Sequence, residues 1–481
     1  MRRLLAALAS SLVLACTPVD VTSSTPCLHT DRELRRTLEG HPETVDLLIV
    51  LDDSSLGRID EVNGAIARLT RSLATGDRDG DGRREVPALP LRVAVVTSHL
   101  GVAGHDVPSC TDGRFGALGD DGVPRSGDPS CGGSSPVITF EPGDDADAFV
   151  EAVACAARVG TSGCGWEQPL EAALKALMPT HDAADLVFPR GLPMFREGAG
   201  HGFAEYDDFA VPYPPLLAAV IVTDEDDCSV EDVSLFDPAA YDGEPLETRC
   251  RDHRDALHAI ARYVEGEHGE SGLLGLRWQP DDLFIAALVG APLDALEPDA
   301  GGDYDGVLAH ERMQLVPDPT QPSRVLPSCS GPGITAFPPR RIVEALDDLD
   351  DARVPTFLRS ICAPDLEPSF DALGEALGNR ILGARCQYGI TSGCVVEESL
   401  PEGMTCDALP GRTRRTIEDG RQVCELARVP YGSGEPGWAL VDAFCPPGAS
   451  TIHLELAPVP GAYYEGTCPH TLGPDGGTCF E

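Results

Sequence analysis

The sequence predicts an α/β fold: a doubly wound, mainly parallel sheet followed by a small disulfide-rich, β-rich C-terminal domain. Three observations carry this. Apolar runs of strand length recur at residues 45–51, 92–98, 216–223 and 282–289. Segments with helical apolar spacing alternate with them, which is the pattern of crossover-connected parallel strands covered by helices on both faces. Beyond about residue 382 the helical periods vanish and cysteines crowd the chain: Cys386, Cys394, Cys406, Cys424, Cys445, Cys468 and Cys479.

Residues 1–15 read as an export signal. Met1-Arg2-Arg3 is the basic leader of a short apolar stretch, residues 4–14, too short to span a bilayer. Val13-Leu14-Ala15-Cys16 is similar to a bacterial lipobox, in which Cys16 becomes the lipidated first residue; the plain alternative is a cleaved signal with an incidental cysteine. The expectation is an exported chain anchored by lipid alone to the bacterial cell envelope, at the outer membrane or cell surface. Residues 16–43 are read as a polar tether.

The α/β domain is expected over residues 44–381. After the first strand, Ile59, Val62, Ile66, Leu69 and Leu73 follow i, i+3/i+4 spacing and predict a helix over 58–73. The strand at 92–98 comes next, then a Gly/Asp/Pro-rich excursion over 101–144. Helices are expected at 148–159 and at 169–177, where Pro169 fits the first turn. The strand at 216–223, a helix at 252–264, the strand at 282–289 and helices at 342–349 and 370–377 complete it. Residues 382–481 form the Cys-rich β domain.

The net charge of −42, from 36 basic and 78 acidic residues, is spread along the chain. Such a surface repels nucleic acid and anionic lipid and attracts divalent cations, so no nucleic-acid partner is expected. Setting Cys16 aside, the 17 cysteines leave an even number for pairing, and export makes disulfides the default. Local pairs read from spacing are Cys110–Cys131, Cys155–Cys164, Cys228–Cys250 and Cys329–Cys362. The absence of any C-x-x-C spacing argues against structural zinc.

Two acidic strand ends stand out. The first strand runs into Asp52-Asp53-Ser54, and the strand at 216–223 runs into Asp224-Glu225-Asp226-Asp227. In open α/β sheets ligands bind at that rim. Strand Asp-x-Ser, helix, Gly160-Thr161 before a Pro-started helix, then strand Thr223-Asp224: this ordered set, over residues 45–377, resembles the von Willebrand factor A domain. The segments 160–170 and 222–228 also look like exported, Cys-rich bacterial lipoproteins of that class. The resemblance implies a Rossmann-like sheet and a metal-ion-dependent adhesion site, with Asp52, Ser54, Thr161 and Asp224 as ligands of Mg²⁺ or Ca²⁺. Its third ligand position is Leu56, which offers no oxygen. Hard cations need about six oxygens, so solvent and a partner carboxylate are expected to complete the shell. The implied partner is a protein or glycan at the cell surface. The alternatives are hydrated strand ends and a metal-free structural envelope module held by disulfides.

A second acidic set, Asp77-Arg78-Asp79-Gly80-Asp81-Gly82, has the first half of a calcium loop, with Glu85 at position nine and Ala88 where the bidentate Glu belongs. It reads either as a structural Ca²⁺ site of Asp77, Asp79, Asp81 and Glu85 or as a solvated turn. For Glu225, Asp226 and Asp227 the plainer reading is a solvated loop pinned by Cys228. Enzyme motifs are missing: there is no H-E-x-x-H, no G-x-S-x-G and no Walker loop, and Lys175, the single lysine, sits inside a helix. No general base stands near the two Asp-bearing strand ends, so no catalysis is expected. Trp166 is expected to pack in the core.

Overall fold

The computed structural model describes residues 34–37 and 44–468, apart from breaks of which the longest are 126–134, 179–199, 204–214, 442–448 and 455–462. Cys16, Asp79, Asp81, Glu85 and Cys131 lie outside the described residues.

The first strand, β1 (Leu34–Thr37), belongs to the C-terminal region. The central sheet is built from β2 (Val45–Leu51), β3 (Leu91–Thr97), β4 (Ile138–Phe140), β5 (Leu216–Val222) and β6 (Leu283–Val289), with a hairpin of β7 (Cys329–Gly331) and β8 (Ile334–Ala336) preceding its last strand, β9 (Thr356–Ser360). Spatial order is β4-β3-β2-β5-β6-β9, and every neighbouring pair is parallel except β3 with β4. The chain therefore steps from β2 to β3 on one side and returns to β5 on the other. That reversal opens a crevice at the C-terminal ends of β2 and β5. Leu51 is level with Thr97 on one neighbour and Val222 on the other, so Asp52, Ser98 and Thr223 leave the sheet side by side.

All residues of β2, β5 and β6 are buried, because helices cover both faces. The helices are α1 (Ile59–Thr75), α2 (Ala146–Ala156), α3 (Pro169–Leu177), α4 (Leu246–Asp252), α5 (Ala261–Val264), α6 (Tyr304–Ala309), α7 (Arg340–Asp351) and α8 (Glu367–Gly383). Alternate strand residues face opposite layers. Leu47, Ile49 and Val220 pack with apolar residues of α1, α2 and α8, while Leu48, Val50 and Ile221 pack with those of α3, α5 and α7. Helix α1 buries the expected Val62, Ile66, Leu69 and Leu73, and stops at Gly76, whose left-handed backbone lets its amide donate to the Ser72 carbonyl. Asp145 caps α2 by accepting from the Asp147 and Ala148 amides.

The single helix expected at 252–264 is instead α4, a tight turn and the short α5. The break is tertiary: the Ala256 carbonyl accepts from the Glu231 and Asp232 amides, and Leu257 bridges to Val230, so the helical ladder cannot pass through. Residues 34–37, expected in a tether, form β1 and pair antiparallel with the last strand of the chain, because that strand's edge offers four residues of matching register.

The named strands of the C-terminal region pair antiparallel. Its strands are β10 (Gln387–Tyr388), β11 (Val395–Ser399), β12 (Arg412–Glu418), β13 (Arg421–Leu426), β14 (Trp438–Val441), β15 (Ala449–Leu454) and β16 (Tyr463–Cys468). They form the sheets β1-β16-β11-β13-β12 and β10-β15-β14. Val396, Leu426 and Trp438 make one small core, and Leu400 packs on the Cys406–Cys424 disulfide in another.

Cys228–Cys250 and Cys329–Cys362 form as spacing suggests. Cys110–Cys131 and Cys155–Cys164 do not: Cys110 pairs with Cys164. Both lie in the core on the α3 side of the sheet, whereas Cys155 is on α2, whose apolar residues pack on the opposite face. The sheet stands between Cys155 and Cys164, and Cys155 is disulfide-bonded elsewhere. Among the described residues no helix is long and apolar enough to cross a membrane.

Candidate cation site at the sheet edge

Asp52 and Asp224, each one residue or two past its strand, meet in the crevice. Their carboxyls are within hydrogen-bonding reach of each other. The β2 side is fixed by Ser54, whose amide and hydroxyl both donate to Asp52 Oδ1, at 2.8 and 2.9 Å. The β5 side is fixed by Thr223, whose hydroxyl donates to Asp52 Oδ2 at 2.9 Å. The Asp52 amide also donates to the Val222 carbonyl. Below them, Phe337, just past β8, donates its amide to the Asp224 carbonyl.

Thr161 is placed differently. It stands on the exposed crest of the loop before α3, and the loop touches the strand end through Gly163, whose amide donates to the Asp53 carbonyl at 2.7 Å. A Cβ on Gly163 would stand 2.3 Å from Asp53 Oδ1, so only glycine permits this approach. Leu56, in place of a hydroxyl, is 1% exposed and packs with Leu47, Ile49 and Ile66. The calcium-loop candidate shows only its first carboxylate: Asp77 accepts from the Gly80 and Gly82 amides.

Two acids join the site that strand-end reasoning passes over. Asp53 is 6% exposed, and its Oδ1 has no hydrogen-bond partner. Glu167, 1% exposed, lies immediately before α3; its Oε2 accepts from the Ser98 hydroxyl and its Oε1 has no partner. Its immediate electrostatic neighbours are Asp52, Glu225 and Asp53. The chain around Glu167 is pinned on every side. Its carbonyl accepts from the Cys228 amide, the Trp166 indole donates to the Cys228 carbonyl, and Gln168 bonds Ser98, Gly101 and Val230. Trp166 packs edge-on against Phe236 in the core, as expected. The available signal was Glu167's setting: an acid between Trp and Gln, at the start of an apolar helix, is a buried acid.

Charge balance separates this cluster from the rest of the molecule. Among the described residues ten carboxylate side chains are buried. Six have a basic partner: Asp46 with Arg92 and Arg277, Asp120 with Arg114 and Arg125, Asp121 with Lys175, Glu171 with Arg262, Asp227 with Arg341, and Glu398 with Arg412. The four without an ion-pair partner among the described residues are Asp52, Asp53, Glu167 and Asp224, all at this one edge. Burial, then mutual repulsion, pushes Asp53 up to about 7 and Asp224 to about 8, and drives Glu167 well above the usual carboxylate range. Buried carboxylates without a counter-charge must be neutralised, by protons or by a metal ion. Oxygen-only donors are the chemistry of a hard divalent cation, but among the described residues no three His, Cys, Asp or Glu side chains are placed to share one ion.

The run after Asp224 is not a solvated loop. Asp227 is buried, accepts from the Leu170 amide at the start of α3 and pairs with Arg341 of α7 at 3.1 Å. Asp226 accepts from the Arg341 amide. These acids lock the two helices to β5 and do not belong to the cluster.

No family model matches the chain, and no curated protein matches it. Among solved structures, it shows a slight similarity to the pilus adhesin SpaC from Lactobacillus rhamnosus GG, at 11% identity and a TM-score of 0.24. That match covers 94% of this chain and 45% of the adhesin's.

Proposed function

We propose that the chain is an exported, lipid-anchored envelope protein whose α/β region is a von Willebrand A-like domain. It holds a divalent cation at the crevice between β2 and β5 and presents that edge to a protein or glycan partner. What supports the cation is the segregation of charge: six buried acids have their own Arg or Lys, and the four that do not, Asp52, Asp53, Glu167 and Asp224, lie at this one edge, where Asp52 and Asp224 are within hydrogen-bonding reach. Their placement at the strand-order reversal, where α/β sheets receive ligands, supports a binding role. The chemistry the ion supplies is charge neutralisation and fixed coordination, without turnover.

The test is the melting temperature of the oxidised, full-length mature chain after chelation, with Ca²⁺, Mg²⁺ or Mn²⁺ added back. The reading expects a rise in the wild type that is lost in Asp52→Ala and Asp224→Ala. A second reading, a metal-free structural module, is favoured by Leu56, an apolar core residue where the adhesion motif needs a hydroxyl. It expects identical melting in all three cations and a large drop on reduction of the disulfides.

A further inference from the structure

Lys175, on α3, is the single lysine among 36 basic residues. Of the six buried acids with a basic partner named above, five are met by arginine, and Asp121 is met by Lys175. Both side chains of this pair are 0% exposed, and Lys175 Nζ donates to Asp121 Oδ1. Arginine would make the ion pair as well, since its guanidinium is always charged; lysine differs in that its amine, once deprotonated, is a nucleophile.

The backbone holds the two groups together. Asp121 takes a left-handed conformation, φ 58°, next to Asp120, whose amide donates to the His99 carbonyl. Gly122 lies against α3: a Cβ there would stand 3.0 Å from the Ala172 carbonyl oxygen and 3.4 Å from Lys175 Cβ. His201 completes the group. Its amide donates to the Lys175 carbonyl, its Nε2 donates to the Asp121 carbonyl at 2.6 Å, and the same nitrogen lies 3.4 Å from Asp121 Oδ2. The His201 side chain is 11% exposed, so an imidazole connects the buried pair to solvent.

We infer that Lys175 and Asp121 condense in the folded chain to an amide between Nζ and Cγ, with His201 carrying the protons. Two charges away from water are costly, so a proton passes from the ammonium to the carboxylate and leaves an amine facing an acid. The amine lone pair attacks Cγ, the N–C bond forms, and the carbonyl pair moves onto oxygen. His201 takes the surplus proton from nitrogen and returns it to the hydroxyl oxygen as the C–O bond breaks. One water leaves, the carbonyl re-forms, and no oxidant or co-reactant is needed. Holding both reactants in one buried contact supplies the proximity that the reaction lacks in water. The inference is independent of the cation reading. The bond fastens the excursion between β3 and β4 to α3, as the Cys110–Cys164 disulfide fastens it to the loop before α3, but reduction does not open it.

The experiment is tryptic peptide mapping by mass spectrometry of the full-length mature chain after complete reduction and alkylation. Trypsin cuts after Lys175 only if its amine is free. The expected product is a branched peptide joining Phe115–Arg125 to residues 159–190, uncut at Lys175 and lighter by one water than the two together. Recovery of Phe115–Arg125 by itself, with cleavage after Lys175, would overturn the inference, and this readout needs no variant to fold. His201→Ala keeps both reacting groups and should accumulate the branched peptide at least ~100-fold more slowly. Lys175→Arg keeps the ion pair and should yield none. A branched peptide formed as fast in His201→Ala as in the wild type would remove His201 from the reaction while leaving the bond.

Discussion

The Thr223 hydroxyl, on the residue after β5, donates to Oδ2 of Asp52 at 2.9 Å across the seam between the two strands. The same hydroxyl accepts from the Glu225 amide at 3.0 Å. One side chain therefore ties the acid of β2 to the turn that carries Asp224. Thr223→Val keeps the shape and removes the link, leaving buried Asp52 Oδ2 without its hydroxyl donor. We expect a loss of about 1–3 kcal/mol in the stability of the chelated chain, read from the urea midpoint. An unchanged midpoint would mean that Asp52 Oδ2 is solvated.

The pH dependence follows from the raised acids. Burial and neighbouring carboxylates hold Asp53 near 7 and Asp224 near 8, against an ordinary value of 3.8. Between about 4 and 8 the folded chain thus binds more protons at these sites than the unfolded chain does. Their stabilising contribution is fully present below the ordinary value and is lost as pH rises through 7–8. His258 acts oppositely at lower pH: burial pushes it down to about 4, so its contribution is lost as pH falls below 6.5. In chelator the melting temperature should therefore fall from pH 6.5 to 9. Saturating Ca²⁺, replacing the protons, should flatten that slope; equal slopes with and without Ca²⁺ would count against a cation in this crevice.

The strands and the crevice were legible in the sequence because β2 and β5 are buried on both faces and read as unbroken apolar runs ending in acid. Helix α1 was legible because its single buried face obeys one period. What could not be read was set by contacts distant in sequence. The helix at 252–264 is interrupted by carbonyl bonds to residues 231 and 232. Cys164 finds Cys110 because a sheet separates it from α2, a relation that spacing does not encode. Glu167 was hidden because its hydrogen-bond partner, Ser98, comes from the end of another strand. The ordered motif drew attention to Thr161, six residues earlier and exposed.

Arg341 joins α7 to Asp227 at 3.1 Å and donates to the His258 carbonyl at 2.8 Å, both partners being buried. Arg341→Met preserves bulk and leaves Asp227 charged and without its guanidinium. Breaking a buried pair from one side costs about 3–5 kcal/mol. A loss of that size in urea unfolding is expected, and Asp227→Asn combined with Arg341→Met should recover part of it. If the single variant loses less than 1 kcal/mol, water reaches Asp227.

The disulfide assignment can be checked directly. Peptide mapping of the unreduced chain should recover a Cys110–Cys164 linked pair. Replacing both with Ala should cost about 2–4 kcal/mol, since the bond closes a loop of 54 residues. Recovery of Cys155 joined to Cys164 would place α2 on the wrong side of the sheet and contradict the layering.

Two glycines in one loop provide an internal control for the site. A methyl on Gly163 would lie 2.3 Å from Asp53 Oδ1 and 2.4 Å from its Cγ, whereas one on Gly165 would meet no atom within 4 Å. Neither requires a left-handed backbone. Gly163→Ala must therefore push Asp53 or the loop aside, which in a packed setting costs about 1–3 kcal/mol, and it should also weaken the melting response to Ca²⁺. Gly165→Ala should leave both unchanged. If the two behave alike, the loop before α3 does not rest on Asp53.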